Sequence, residues 1–176
     1  MKQDQTKIFT KLYEEYSSYM YGICLRYTKN TEEAQDVLQD GFIKVYNALD
    51  SFKGDSNIKT WISRIMINTA INHYRKKKVL NTFSTEETEV EVLRFDKIDV
   101  INKMSADELL DLMHFLPEGY KLVFNLYAIE GYKHREIAEM LDITEGTSKS
   151  QLSKARNKLQ ELLKEKLGIT KEDLGF

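Results

Sequence analysis

Between Gly131 and Leu159 the chain reads GYKHREIAEMLDITEGTSKSQLSKARNKL. Its polar residues fall where a helix could carry them to nucleic acid. Lys149, Ser150, Ser153, Lys154 and Lys158 lie largely off the apolar stripe of Leu152, Ala155 and Leu159. Short hydroxyls and cations in that arrangement suit base edges and phosphates. A second set lies upstream, where Arg64, Asn68, Asn72 and Arg75 recur at spacings of three and four. That spacing gives one polar helix face, and the run Arg75 to Lys78 closes it with four consecutive basic residues. Amides and guanidiniums along a helix can hold a nucleic-acid backbone or exposed bases. One or two cations in a last turn answer to the helix dipole, but four are more than it needs.

The elements that position these sets read as helices. Ile137, Ala138 and Leu141 give a short helix an apolar face, and Asp142-Ile143-Thr144 breaks it. Thr144 is placed to cap the next helix, with Glu145 favourable in its first turn, so the segment predicts a helix-turn-helix. Upstream, Thr6 to Tyr27 reads as one long helix. Asn30 with Glu33 resembles a capping pair for a second, whose stripe of Ala34, Val37, Leu38, Phe42, Val45 and Leu49 carries it to about Leu49. A turn-rich loop from Asp50 to Ser56 follows, and Ser56 or Asn57 can cap a third helix ending near Lys78. Ser105 with Glu108 predicts the start of a helix to about Leu116. Pro117 is expected as the first helical residue of the next, which should carry Leu122, Val123, Leu126 and Tyr127 inward.

Charge separates the parts. Residues 1–78 hold 13 Lys/Arg against 9 Asp/Glu, residues 79–112 hold 3 against 9, and residues 113–176 hold 10 of each. The near-neutral total therefore hides a basic amino-terminal part and an acidic middle. The stretch Ser84 to Glu89 has no helical stripe and reads as a mobile linker. The expected organisation is an amino-terminal helical domain over 1–78, an acidic linker over 79–104, a second helical domain over 105–167 and a tail over 168–176. The second helix, with Glu32, Glu33, Asp36 and Asp40, is too acidic for a DNA face. It reads as solvated surface or as a protein docking face with Gln39 and Phe42 exposed beside the acids.

Several classes are not expected. Cys24 is the sole cysteine, so no intramolecular disulfide can form, and it reads as a packed thiol. His73, His114 and His134 are far apart and no phosphate-binding loop occurs, so no catalytic residue, cofactor or metal site is expected. No apolar run approaches a membrane span, which predicts a cytoplasmic protein without membrane insertion.

In this order the pieces resemble the sigma-70 family of sigma factors, in its small extracytoplasmic-function group. EEAQDVLQDGFIKVYNAL is similar to region 2.2, FKGDSNIKTWISRIMINTAINHYRKKK to regions 2.3 and 2.4, and LPEGYKLVFNLYAIEGYKHREIAEMLDITEGTSKSQLSKARNKL to region 4. The resemblance implies an all-α fold of two small domains, a region 2 bundle and a region 4 helix-turn-helix, on a flexible acidic linker. It implies core RNA polymerase as partner, through the β′ clamp helices and the β subunit, with Asp36, Gln39, Asp40 and Phe42 at docking positions. The linker would thread toward the polymerase RNA channel. A loop of Phe52, Gly54, Asp55, Ser56, Asn57 and Ile58 would enclose a base flipped from the −10 element. Thr60, Trp61, Arg64, Asn68, Arg75 and Lys76 would hold the melted strand. Lys149, Ser150, Ser153 and Lys154 would read the −35 element, with Arg156 or Lys158 on phosphate. It also implies an anti-sigma factor, in this group often membrane-anchored.

Departures from the group are visible. Lys149, Gln151 and Lys154 stand where arginine is frequent, and lysine lacks the bidentate fork. Asn72 stands where aspartate is common, and Gly41 interrupts the docking helix at a cost of about 1 kcal/mol relative to alanine. Close approach of a partner is one expected reason for that glycine. The alternative reading of the whole chain is a stand-alone helix-turn-helix regulator that binds duplex DNA without polymerase. It would need a sensing or phosphate-receiving domain, and residues 1–78 lack the alternating strand pattern of one.

Overall fold

The computed structural model describes residues 2–80 and 106–167. Among these, every regular element is helical: α1 Lys2–Tyr27, α2 Thr31–Ala48, α3 Ile58–Leu80, α4 Ala106–Met113, α5 Glu118–Phe124, α6 His134–Leu141 and α7 Glu145–Leu167. They sort into two compact units, α1–α3 and α4–α7. Val79 and Leu80, expected in the linker, still belong to α3. The rest of the expected linker, Ser105 of the expected capping box and the tail lie outside the described residues.

In the first unit α1, α2 and α3 pack pairwise into a three-helix bundle. Asn30 caps α2, its side chain accepting the Glu33 N–H at 2.8 Å, while the Glu33 carboxylate accepts the Lys29 N–H at 3.2 Å. Met20, Ile23 and Cys24 of α1 meet Ala34, Val37 and Val45 of α2 and Ile62, Met66 and Ile67 of α3 in the buried core. Each large side chain so buried contributes about 1.5–3 kcal/mol. Burial pushes the Cys24 thiol up to about 12, which keeps it protonated and inert.

Gly41 finds its reason inside the bundle. A Cβ there would overlap Met66 Sδ and lie 3.0 Å from its Cε, so the glycine lets α2 and α3 approach across a buried methionine. The close approach is therefore internal to the domain rather than made by a partner. Around it, Lys77 Nζ to Glu33 at 2.6 Å and Lys44 Nζ to Thr69 Oγ1 at 3.0 Å tie the same two helices. Phe9 and Tyr13 of α1 close the end of the bundle on Phe42 and Tyr46.

In the second unit α4, α5 and α6 lean on the long α7. Leu122, Val123, Phe124, Leu126, Ile137, Leu141, Leu152, Ala155 and Leu159 form its core. The entry to α5 differs from expectation. α4 stops at Met113, and its last turn tightens into Phe115 N–H to Leu112 O and Leu116 N–H to Met113 O, because the residue before proline is pushed out of helical conformation. Pro117, at ψ 144, is the cap rather than the first helical residue, and its carbonyl accepts from Lys121 N–H at 3.0 Å.

The end of α5 differs too. Asn125–Ile129 is a π turn, closed by Glu130 N–H to Asn125 O at 3.0 Å, with Gly131 at φ 77 just beyond it. A π turn takes one more residue per turn and resets the phase of the helix. Leu126 stays inside, but Tyr127, expected inward, is 36% exposed. The helix-turn-helix follows as predicted. Asp142 makes the turn in the left-handed region at φ 54, and Thr144 Oγ1 caps α7 by accepting the Thr147 N–H at 3.0 Å. α7 then runs beyond Leu159 to Leu167.

Candidate nucleic-acid interface

The loop before α3 is shaped by Gly54 at φ 78, where a Cβ would meet open space, so backbone freedom alone calls for glycine there. Of the two expected caps, Asn57 does the work: its Oδ1 accepts the Lys59 N–H at 2.8 Å. Phe52 packs on Trp61 with ring centroids 5.1 Å apart, so the half-buried indole supports the loop. Asp55 and Lys53 are exposed, and Ser56 and Ile58 are half-buried.

From that loop a polar strip runs along α3. Thr60, Arg64, Asn68, Asn72 and Lys76 are all exposed, each four residues after the last, and Arg75 is half-buried beside them. At 1.5 Å per residue the strip is roughly 24 Å long, enough for several nucleotides. The basic run that ends it is partly committed to the fold, because Lys77 holds Glu33 of α2. Burial pushes the Glu33 carboxyl up, yet the Lys77 ammonium and the Lys29 amide together outweigh it and hold Glu33 below its ordinary range.

On α2, Asp36, Gln39 and Asp40 are exposed as expected. Phe42 is not: it is 3% exposed, its ring 4.7 Å from that of Tyr13, so it supports α2 from inside the bundle. The apolar side chain that α2 does present is Ile43, 59% exposed. Its place seven residues after Asp36 was the available signal. Asp40 also has a neighbour that spacing did not predict, His73 Nε2 of α3 at 3.6 Å.

On α7, the residues expected at the −35 element share one helix but differ in readiness. Lys149 is exposed and held by Glu145 at 2.7 Å, and the Lys149 hydrogen bond lowers the Glu145 carboxyl. Ser150 Oγ donates to Thr147 O at 3.0 Å, and Lys158 pairs with Glu161 at 3.0 Å. Ser153, Lys154 and Arg156 are half-buried. The Arg156 guanidinium lies over Tyr127 at 5.8 Å. Three further residues, brought together beside these by packing that no local sequence signal announces, form a cluster. His134, the first residue of α6, stacks on Tyr127 at 4.6 Å, and its Nδ1 lies 3.0 Å from Oγ of the fully buried Ser148.

Among the described residues no group of His, Cys, Asp and Glu side chains is placed to hold a metal ion, and no helix is long and apolar enough to cross a membrane.

Comparison with known proteins matches the two units to two known regions. Residues 12–79 match the family described as sigma-70 region 2, and residues 106–159 match sigma-70, region 4. The ECF RNA polymerase sigma-E factor of Haemophilus influenzae is 32% identical over 177 residues, covering 93% of each chain. That of Escherichia coli is 33% identical over 178 residues, covering 93% of this chain and 92% of its own. A solved structure of the sigma factor RpoE in complex with the anti-sigma factor NepR, from Bartonella quintana, shares the fold. Its TM-score is 0.52 at 23% identity, over 90% of this chain and 98% of that one.

Proposed function

The chain belongs to the sigma-70 family, in its extracytoplasmic-function group, and on that premise we propose how its two units divide the work of initiation. It is an alternative sigma factor that binds core RNA polymerase and directs it to promoters. The observation that carries this is the presence of both regions in one chain, each with its polar surface outward.

In the first unit, Asp36, Gln39, Asp40 and Ile43 dock on the polymerase clamp, with Phe42 holding that helix from behind. The Phe52–Ile58 loop receives a base flipped from the −10 element, at an unstacking cost of a few kcal/mol offset by loop contacts and phosphate neutralisation. Thr60, Arg64, Asn68 and the basic end of α3 hold the opened strand. In the second unit Lys149, Ser150, Ser153 and Lys154 read the −35 duplex, with Arg156 or Lys158 on phosphate. An anti-sigma factor, as in the Bartonella complex, restrains the protein, which works in the cytoplasm and catalyses no reaction itself. The test is reconstitution with core polymerase: promoter DNA is opened only when both are present. Specific duplex binding without core would favour a stand-alone regulator.

A further inference from the structure

His134 has no role in the division of work proposed so far, yet it sits in a built environment beside the α7 residues assigned to the −35 element. Its ring stacks on Tyr127 of the π turn, with 22° between the planes, and its Nδ1 reaches the fully buried hydroxyl of Ser148 on α7. Lys149, next in sequence to Ser148, Glu145 and Arg156 are the charged groups of α7 that act on it. On and beside its own helix, Arg135 pairs with Glu139 and the Glu136 carboxylate accepts the Lys133 N–H.

We propose that His134 is a phosphate-backbone contact of the second unit that takes up a proton when promoter duplex binds, so that binding tightens as pH falls.

The partner of Nδ1 makes this possible. A serine hydroxyl donates or accepts, so it can give its hydrogen to a neutral Nδ1 or accept from a protonated one. The tie between α6 and α7 therefore survives either charge state. In the cation, Nδ1–H donates to Ser148 Oγ and Nε2–H is free to donate to a phosphate oxygen; the added proton comes from solvent. In the free protein burial pulls the imidazole below its ordinary range, Lys149 and Arg156 add to that pull, and Glu145 opposes them. A phosphate oxygen at the ring reverses the balance, because it stabilises the cation and draws charge from the two neighbouring bases. The Tyr127 ring face also favours the cation. Until DNA arrives, His134 is thus held below its ordinary range.

This rests on the second unit binding promoter duplex, and the experiment separates the two ideas. The full chain is assembled with core polymerase, and a duplex enriched by that holoenzyme from genomic DNA is the probe. Affinity is then measured against salt at about pH 6 and about pH 8, on either side of histidine's ordinary range. One added phosphate contact steepens the log–log salt slope by about 0.9, or roughly 3.5-fold in affinity over a fourfold salt range. The natural protein is expected to show that steepening at the lower pH. H134Q should keep the shallow slope at both pH values, H134K the steep slope at both, and H114Q, the other histidine of the second unit, the natural behaviour. A slope that does not change with pH in the natural protein, or a pH-dependent slope that persists in H134Q, overturns the proposal while leaving promoter binding intact. Failure of the holoenzyme to enrich any duplex overturns both.

Discussion

Replacing Gly41 by alanine sets two effects of opposite sign against each other. Gly41 lies inside α2, where alanine gains about 1 kcal/mol in helix propensity. The new methyl, however, would overlap Met66 Sδ, in a core where Met66 is fully buried. A thioether can rotate, but with no exposed side to rotate toward, the overlap should cost about 2 kcal/mol, within the ordinary range for overpacking. The net expectation is a loss of about 1 kcal/mol. Truncating the neighbour reverses the sign. Met66→Ala alone should cost about 2–5 kcal/mol through its cavity. In that background Gly41→Ala should stabilise by about 1 kcal/mol, a coupling of about 2 kcal/mol between the sites. Trp61 is the only tryptophan and lies in the same unit, so its fluorescence during urea unfolding follows this bundle alone. The single substitution should lower the midpoint by about 0.5 M and the second-background substitution should raise it by a similar amount. A raised midpoint in the natural background would refute the packing argument and return Gly41 to a role outside the fold.

Thr144→Ala removes the α7 cap and should destabilise the second unit by about 1 kcal/mol, read as earlier loss of its amide-exchange protection. Asp142→Gly should stabilise the same unit by about 0.5–1 kcal/mol in that experiment, because the turn residue sits in the left-handed region that costs a side chain energy. The folded Glu33 carboxyl titrates below its ordinary range, so its contribution is present above the unfolded glutamate pKa and is lost as pH falls through the lower folded value. Both partners are about a third exposed, so the effect is about 0.5–1 kcal/mol, and Lys77→Met should reduce that acid-side loss in urea titrations of Trp61 fluorescence. Asp40→Lys should weaken core polymerase binding in a pull-down while leaving the second unit's DNA affinity unchanged.

Helix-forming stripes and caps were legible in the sequence because each is local: Asn30, Asn57 and Thr144 all cap where their spacing says they should. The helix-turn-helix and the rhythm of Arg64, Asn68, Asn72 and Arg75 at spacings of three and four are legible for the same reason. What escaped depends on long-range packing. Phe42 reads equally well as stripe or surface until Phe9 and Tyr13 cover it, and Ile43 is left outside by the same packing. Tyr127 was misplaced because no residue pattern announces a π turn, and that turn is what brings it against His134. The pairs Asp40–His73 and His134–Ser148 join different helices, so no spacing along one helix encodes them.

The central claim is that one chain supplies core polymerase with both promoter-reading surfaces. Its most direct measurement is strand opening at a genomic promoter, followed by reactivity of unpaired bases, with core polymerase and this chain present together or separately. Opening is expected only with both, and should be lost on Arg64→Ala with Asn68→Ala while core binding persists. Opening by core alone, or specific duplex binding by the chain without core and no opening with it, would contradict the account.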